Sequence, residues 1–395
     1  MKTGRFRPVA AALLILLAVA GAYALTAVQS KPREKPLTVE VPLTNIITLK
    51  VYRSDGRVET YQKVGDPWTQ NLMAAMANLL FGRYYTNPLN LYARDGNIKT
   101  QVETEYCSSN VNPYLAIGIG SGSASPSFYD VDLTSLIALV NVTASGVSVS
   151  DNGTHIVASY TVSYTASSAV TVQEVGLYWR AADYGSQTYR YYLFARDVLS
   201  QPIALAANDV LAVTYTVAFM YNQPPMTYNF AALMFNYLFG LRYYSKALTF
   251  TTADGTATSS ADFGMDYYAP ANNGPGDSVK EYAKVRFGSG SPSYIAKISD
   301  VRSALATTSN VQVNAGSNST HFYFTLTVGY PFTSAATVSE AALIFDGIDI
   351  DPSGPSSAPP SKQLLVLYFP ISSSVSVPAG GAVKFTFTIA FRISP

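Results

Sequence analysis

The chain has 395 residues, a formal net charge of +1, 48% hydrophobic residues and only 13% charged ones. That balance, with 29 Tyr and 19 Phe, excludes a disordered chain and a nucleic-acid binder driven by bulk charge. Two His and one Cys exclude a disulfide scaffold, a Cys-rich zinc site and most His-based catalysis.

Residues 8–28 carry no charge. Lys2, Arg5 and Arg7 precede them; Lys31, Arg33, Glu34 and Lys35 follow. A run of that length crosses a bilayer core as a helix. With Ala22-Tyr23-Ala24 as an Ala-x-Ala site, it also reads as a secretory signal. Either reading exports the rest of the chain, to an extracellular, cell-surface or virion-surface location. If the helix is retained, residues 8–28 are the membrane contact. The first 36 residues hold six of the 26 basic and one of the 25 acidic residues, leaving the remainder at −4. No nucleic-acid partner is expected of that remainder.

The next element, Asn45, Ile46, Ile47, Thr48, Leu49, Lys50, Val51 and Tyr52, is strand-like. It precedes the first repeat unit and has no twin before the second. Two readings stand: an assembly strand that pairs with a neighbour's sheet edge, or the first strand of the first domain.

Residues 71–82 then recur at 229–240, from Asn71 and Asn229 to Gly82 and Gly240. Arg83-Tyr84-Tyr85 recurs as Arg242-Tyr243-Tyr244, and Asp95-Gly96 as Asp254-Gly255. Gly120 to Ser123 recurs at Gly288 to Ser291, Thr154-His155 at Thr320-His321, and Glu174 at Glu340. The order is the same, so two long copies make a duplication rather than a solenoid. Leu72, Met76, Leu79 and Leu80 form a helical stripe ending at Gly82; Phe230, Met234, Tyr237 and Leu238 repeat it before Gly240. Each copy thus has one helix, packed across a sheet.

Most other segments alternate. Residues 156–164, 210–219 and 383–391 are rich in β-branched and aromatic residues, with turn chemistry at Asp151-Asn152-Gly153 and at Ala379-Gly380-Gly381. Many short strands with regular turns indicate antiparallel β-sandwiches. Gly118–Gly122 and Gly288–Gly290 lack the Lys-Ser/Thr of a phosphate loop and read as plain turns.

Asn141, Asn152 and Asn318 head Asn-x-Thr sequons, candidates for glycosylation in an exported chain. Asn152 and Asn318 share one predicted turn in the two copies. Glu174 and Glu340 precede apolar strands. A catalytic carboxylate pair is not expected to recur in both copies, whereas a structural Glu is, so no enzyme is expected. Asp346, Asp349 and Asp351 cluster before a Pro-rich loop. Their oxygens suit calcium; the other reading is a solvated loop, and no further cofactor is expected. Tyr189-Arg190-Tyr191-Tyr192 suits sugars, neighbours or a half-buried face equally.

The segments 174–179, 193–199 and 209–219 resemble tail- and fibre-type virion structural proteins. The shared features are a Glu-x-Gly-Leu strand (Glu174, Gly176, Leu177), an aromatic-Ala-Arg step (Phe194, Ala195, Arg196) and a last Val-x-Tyr-x-x-x-Phe strand ending at Phe219. The second copy keeps Glu340 and the last strand but has Tyr368-Phe369-Pro370-Ile371 in place of the Ala-Arg-Asp step. The resemblance implies a β-rich virion component that works by assembly.

The expected fold is all-β: two tandem homologous antiparallel β-sandwich domains, each with one short helix, behind an N-terminal hydrophobic helix. Residues 1–36 are the signal or anchor, 37–222 the first domain and 223–395 the second, joined at Tyr221-Asn-Gln-Pro-Pro-Met-Thr227. The expected function is that of an exported surface structural protein, with itself or other surface or virion proteins as partners. The alternative is an adhesin or carbohydrate-binding module.

Overall fold

Residues that alternate apolar and polar bury one face of a pleated strand and leave the other wet. Residues 210–220 do this strictly, with every second side chain from Leu211 to Phe219 fully buried. The computed structural model describes residues 37–81, 89–99, 102–103, 114–183, 188–258, 283–290, 293–309, 311–348 and 362–392. Within them the chain is mostly strand, arranged in several sheets with two helices.

The first half contains β1 (Leu37–Glu40), β2 (Leu43–Tyr52), β3 (Val58–Val64) and helix α1 (Gln70–Phe81). Three short strands follow: β4 (Leu91–Tyr92), β5 (Ile98–Lys99) and β6 (Val102–Glu103). Then come β7 (Leu115–Gly120), β8 (Leu136–Asn141), β9 (Val147–Asp151), β10 (His155–Thr165), β11 (Val170–Asp183), β12 (Tyr189–Leu205) and β13 (Val210–Met220). The second half begins with helix α2 (Tyr228–Tyr237), β14 (Phe250–Thr251) and β15 (Ala257–Thr258). It continues with β16 (Ala283–Gly288), β17 (Ala304–Thr308), β18 (Val311–Ser317) and β19 (His321–Pro331). It closes with β20 (Ala336–Ile348), β21 (Lys362–Val377) and β22 (Ala382–Arg392).

The sheets of the first half run β3-β2-β13-β10-β9 and β12-β11-β7-β8. Those of the second run β1-β22-β19-β18 and β21-β20-β16-β17. The orders correspond, with β1 from the start of the chain in the seat of β2 and, among the described residues, no counterpart of β3; the registers correspond too. Ile156 lies opposite Phe219 in the antiparallel β10–β13 ladder, and Phe322 opposite Phe391 in the β19–β22 ladder.

Both helices are buried all round rather than along one stripe, as residues 71–77 of α1 and 229–237 of α2 show. That differs from the amphipathic helix expected from the leucine spacing; a helix apolar on every face belongs inside. Its polar exceptions are clamps. Asn71 donates through Nδ2 to the Tyr92 carbonyl (3.0 Å) and accepts from the Tyr92 N–H (2.8 Å). Asn229 makes the same pair of bonds to Thr251, at 3.0 and 3.1 Å. The recurring asparagine thus ties each helix to the short hairpin that follows it.

The two halves are not separate bodies. From Thr38 onward the chain forms one compact unit, with a continuous core drawn from both halves. Phe239 from the second half sits 6.0 Å from Trp68 and 6.3 Å from Phe194, ring centre to ring centre. The Tyr244 hydroxyl accepts from the Leu115 N–H at 2.9 Å. The boundary expected at 222/223 is therefore an exposed turn within one unit that has a shared core. Its cause is the all-round apolarity of the helices, which need cover that a single sandwich face does not supply.

The assembly-strand reading of Asn45 to Tyr52 is corrected by the ladder. β2 pairs along one edge with β13, from Leu43–Phe219 to Tyr52–Val210, and along the other with β3. With both edges taken it has no main-chain groups free for a neighbour. Ile47, Leu49 and Val51 are fully buried, each stabilising the fold by about 1.5–3 kcal/mol. Residues 8–28 lie outside the described residues. Among the described residues no helix is long and apolar enough to cross a membrane.

Candidate functional site

The motifs that recur in both copies converge on one construction. Glu174 on β11 is fully buried. Its Oε1 accepts from the N–H groups of Gly122 (3.0 Å) and Ser135 (2.7 Å). Its Oε2 accepts from the Thr134 N–H (3.2 Å) and from Arg196 Nε on β12 (2.8 Å). Arg196, 1% exposed, also donates to Asp130 at 2.9 Å and to the Ala124 carbonyl at 2.8 Å. The loop between β7 and β8 is thereby stapled to the sheet.

Burial alone would raise the Glu174 pKa. The Ser135 N–H, Arg196 and the Thr134 N–H outweigh it and hold the carboxyl below its ordinary value. Proton transfer near neutral pH needs a group that titrates there, so this carboxylate is suited to holding a loop. Glu340 repeats the arrangement, accepting from the Gly290 N–H at 3.0 Å and the Tyr368 hydroxyl at 2.6 Å. The Gly-Ser-Gly turns exist for this approach. A Cβ on Gly122 would lie 2.4 Å from Glu174 Oε1, and one on Gly290 2.4 Å from Glu340 Oε1.

The remaining sequence candidates fall as follows. Asp346 lies in β20 with its backbone opposite Gln363, while Asp349 and Asp351 lie outside the described residues. Among the described residues no cluster of three or more His, Cys, Asp or Glu is placed to hold a metal ion. Asn141 ends β8; Asn152 and Asn318 sit in the exposed β9–β10 and β18–β19 turns. His155 and His321 open β10 and β19, each with Nδ1 on the preceding threonine hydroxyl (2.8 and 2.9 Å).

Two features were not visible residue by residue. The first is a cleft of about 620 Å³ between the β1–β2 junction, the 64–68 segment and the end of β22. Leu43, Asn45, Trp68, Met73 and Phe391 line it, and Glu40 and Arg392 stand at its rim. Asn45 is 4% exposed, and its Nδ2 has no hydrogen-bond partner.

The second is a sheet edge. β2 covers β13 over ten residue pairs, but the corresponding cover of β22 is β1, four residues long. Val383 and Phe385 of β22 are consequently only half-buried, whereas their register equivalents Leu211 and Val213 are fully buried. The sequence did carry a signal for this: the 45–52 strand has no twin ahead of the second helix.

Compared with known proteins, the chain matches no family model, no curated protein and no solved structure.

Proposed function

We propose that this chain is an exported surface structural protein, a virion spike or coat component or a cell-surface filament subunit, that assembles through its β-surfaces. In this reading each half is an antiparallel β-sandwich from a duplicated ancestor, and residues 8–28 direct export. Its partners are further copies of itself or other surface proteins, as the resemblance to tail- and fibre-type virion proteins suggests.

The observation that carries the reading is the short cover on β22. Among the described residues only the four-residue β1 pairs with β22 on the edge away from β19, and such an edge beside half-buried Val383 and Phe385 is a template for another strand. The occupant of the equivalent seat in the first half, β2, presents Ile47, Leu49 and Val51 inward at alternate positions. An incoming segment would need the same alternation.

Negative-stain imaging of the chain purified from its native source tests the reading. Ordered filaments or particles bearing the chain support it; dispersed single molecules overturn it. A synthetic peptide of the Leu43–Tyr52 sequence probes the edge. Binding with slowed amide exchange along β22 is expected, and binding without that protection would remove the edge from the proposal.

The cleft favours a second reading, a carbohydrate-binding or adhesive module. The unpartnered Asn45 amide beside Trp68 is the kind of polar point in an apolar groove that orients a ligand. Glycan binding that Asn45→Leu abolishes would favour it; no binding would discard it.

A further inference from the structure

The three sequons are held in different ways. Asn141 is the last residue of β8, opposite Ala116, and the Val142 that follows is 1% exposed. Its Oδ1 accepts from the Tyr191 hydroxyl at 3.1 Å. The middle of this sequon is locked into the core, so the segment cannot fold around an enzyme's active site without unpacking.

Asn152 and Asn318 are exposed, each at the tip of the hairpin that joins two strands of the same sheet. Asn152 Oδ1 accepts the Thr154 N–H (3.0 Å), the Thr154 hydroxyl (2.8 Å) and the His155 N–H (2.8 Å). Asn318 Oδ1 accepts the Thr320 N–H (2.9 Å), the Thr320 hydroxyl (3.0 Å) and the His321 N–H (2.8 Å). The oxygen accepts three hydrogen bonds in both turns, while Nδ2, the atom that N-glycosylation modifies, has no hydrogen bond to any of the described residues. The cap needs a side-chain oxygen at this position, which Asp supplies equally well, while the threonine hydroxyl two residues on bonds that oxygen and the histidine Nδ1 in both turns. The two copies nevertheless keep Asn and Thr together, although the residue between them differs, Gly153 in one and Ser319 in the other.

We propose that Asn152 and Asn318 carry N-linked glycans and that Asn141 does not. The co-substrate is an oligosaccharide activated as a lipid diphosphate. The Asn nitrogen forms a bond to the sugar C1, and the C1–oxygen bond to the diphosphate breaks. The lipid diphosphate leaves with the electron pair, and the amide gives up one proton to a base of the transferring enzyme. The proposal rests on the export reading, because such acceptors belong to surface loops of secreted proteins.

The test is peptide mapping by mass spectrometry of the chain from its native source, with the cellular fraction recorded. Peptides containing Asn152 and Asn318 are expected to carry glycan mass, the Asn141 peptide none. Bare Asn152 and Asn318 on a chain recovered from the surface fraction would overturn the glycan proposal and leave export standing. A bare chain recovered from the cell interior would overturn both. Glycan on Asn141 with the other two bare would overturn the argument from turn geometry. In a glycosylating host, Asn152→Gln and Asn318→Gln should each remove one glycan mass, while Asn141→Gln removes none.

Discussion

Arg196 and Tyr368 hold the same register position in the two halves. Arg196 lies opposite Gly176, two residues past Glu174, and Tyr368 opposite Ala342, two residues past Glu340. One buried carboxylate is therefore closed by an ion pair and the other by a phenol, at 2.8 and 2.6 Å. The departure at the Ala-Arg-Asp step changes the partner and keeps the seat.

The two partners should differ in what their loss costs. Arg196→Met leaves Glu174 buried without its cation and is expected to cost about 3–5 kcal/mol. Tyr368→Phe removes one neutral donor and is expected to cost about 1–3 kcal/mol. Urea unfolding of both variants measures the difference, and equal losses would contradict the assignment.

The glycines that approach the carboxylates should be intolerant of a methyl group. Gly122→Ala and Gly290→Ala are each expected to destabilise by about 1–3 kcal/mol through overpacking. Gly56 has open space around its missing side chain. It nonetheless has a φ of +88°, so a loss at Gly56→Ala would come from the backbone alone. A shift in the near-ultraviolet signal of the two carboxylate variants, absent from Gly56→Ala, would separate the causes.

Asp197 makes stability fall with pH. It is fully buried, and burial pushes its pKa up to about 7 against the opposing Tyr215 hydroxyl and Asp66 N–H bonds. The folded state then binds the proton more tightly than the unfolded chain. That contribution is complete below the ordinary value of 3.8 and is lost as pH rises through about 7. The slope within this window is at most about 1.4 kcal/mol per pH unit. Asp197→Asn should flatten the dependence and be more stable than the parent at pH 8. Denaturation from pH 5 to 8 reads this, clear of Glu174, whose lowered pKa matters only at acid pH.

Thr227 begins α2. Its hydroxyl accepts from the Phe230 N–H at 3.1 Å and donates to the Val366 carbonyl at 2.6 Å, in full burial. Thr227→Ala should cost about 1–3 kcal/mol, because it removes the cap and strands a buried carbonyl. Thr227→Ser keeps the hydroxyl and should recover most of the loss in thermal unfolding.

The local elements were legible because their signals are local. The stripe from Leu72 to Leu80 and its repeat from Phe230 predicted helices that form at Gln70–Phe81 and Tyr228–Tyr237. The alternation over 210–219 and 383–391 predicted β13 and β22. Recurrence also marked the two glutamates as structural parts before any contact was known, whereas the clamping role of Asn71 and Asn229 appears only in their bonds to Tyr92 and Thr251.

What joins those parts was decided by tertiary structure. Glu174 meets Gly122 across 52 positions of chain, and only the register of β7 against β11 brings them to 3.0 Å. Whether Asn45 to Tyr52 faces a neighbour or its own chain turned on β3 and β13 filling both its edges. Whether the halves stand apart or share a core turned on where two helices, buried nearly all round and clamped by Asn71 and Asn229, find cover. Periodicity belongs to a single segment and can be read along it. Register, edge occupancy and shared burial belong to pairs of segments, and exist only once the chain has brought those segments together.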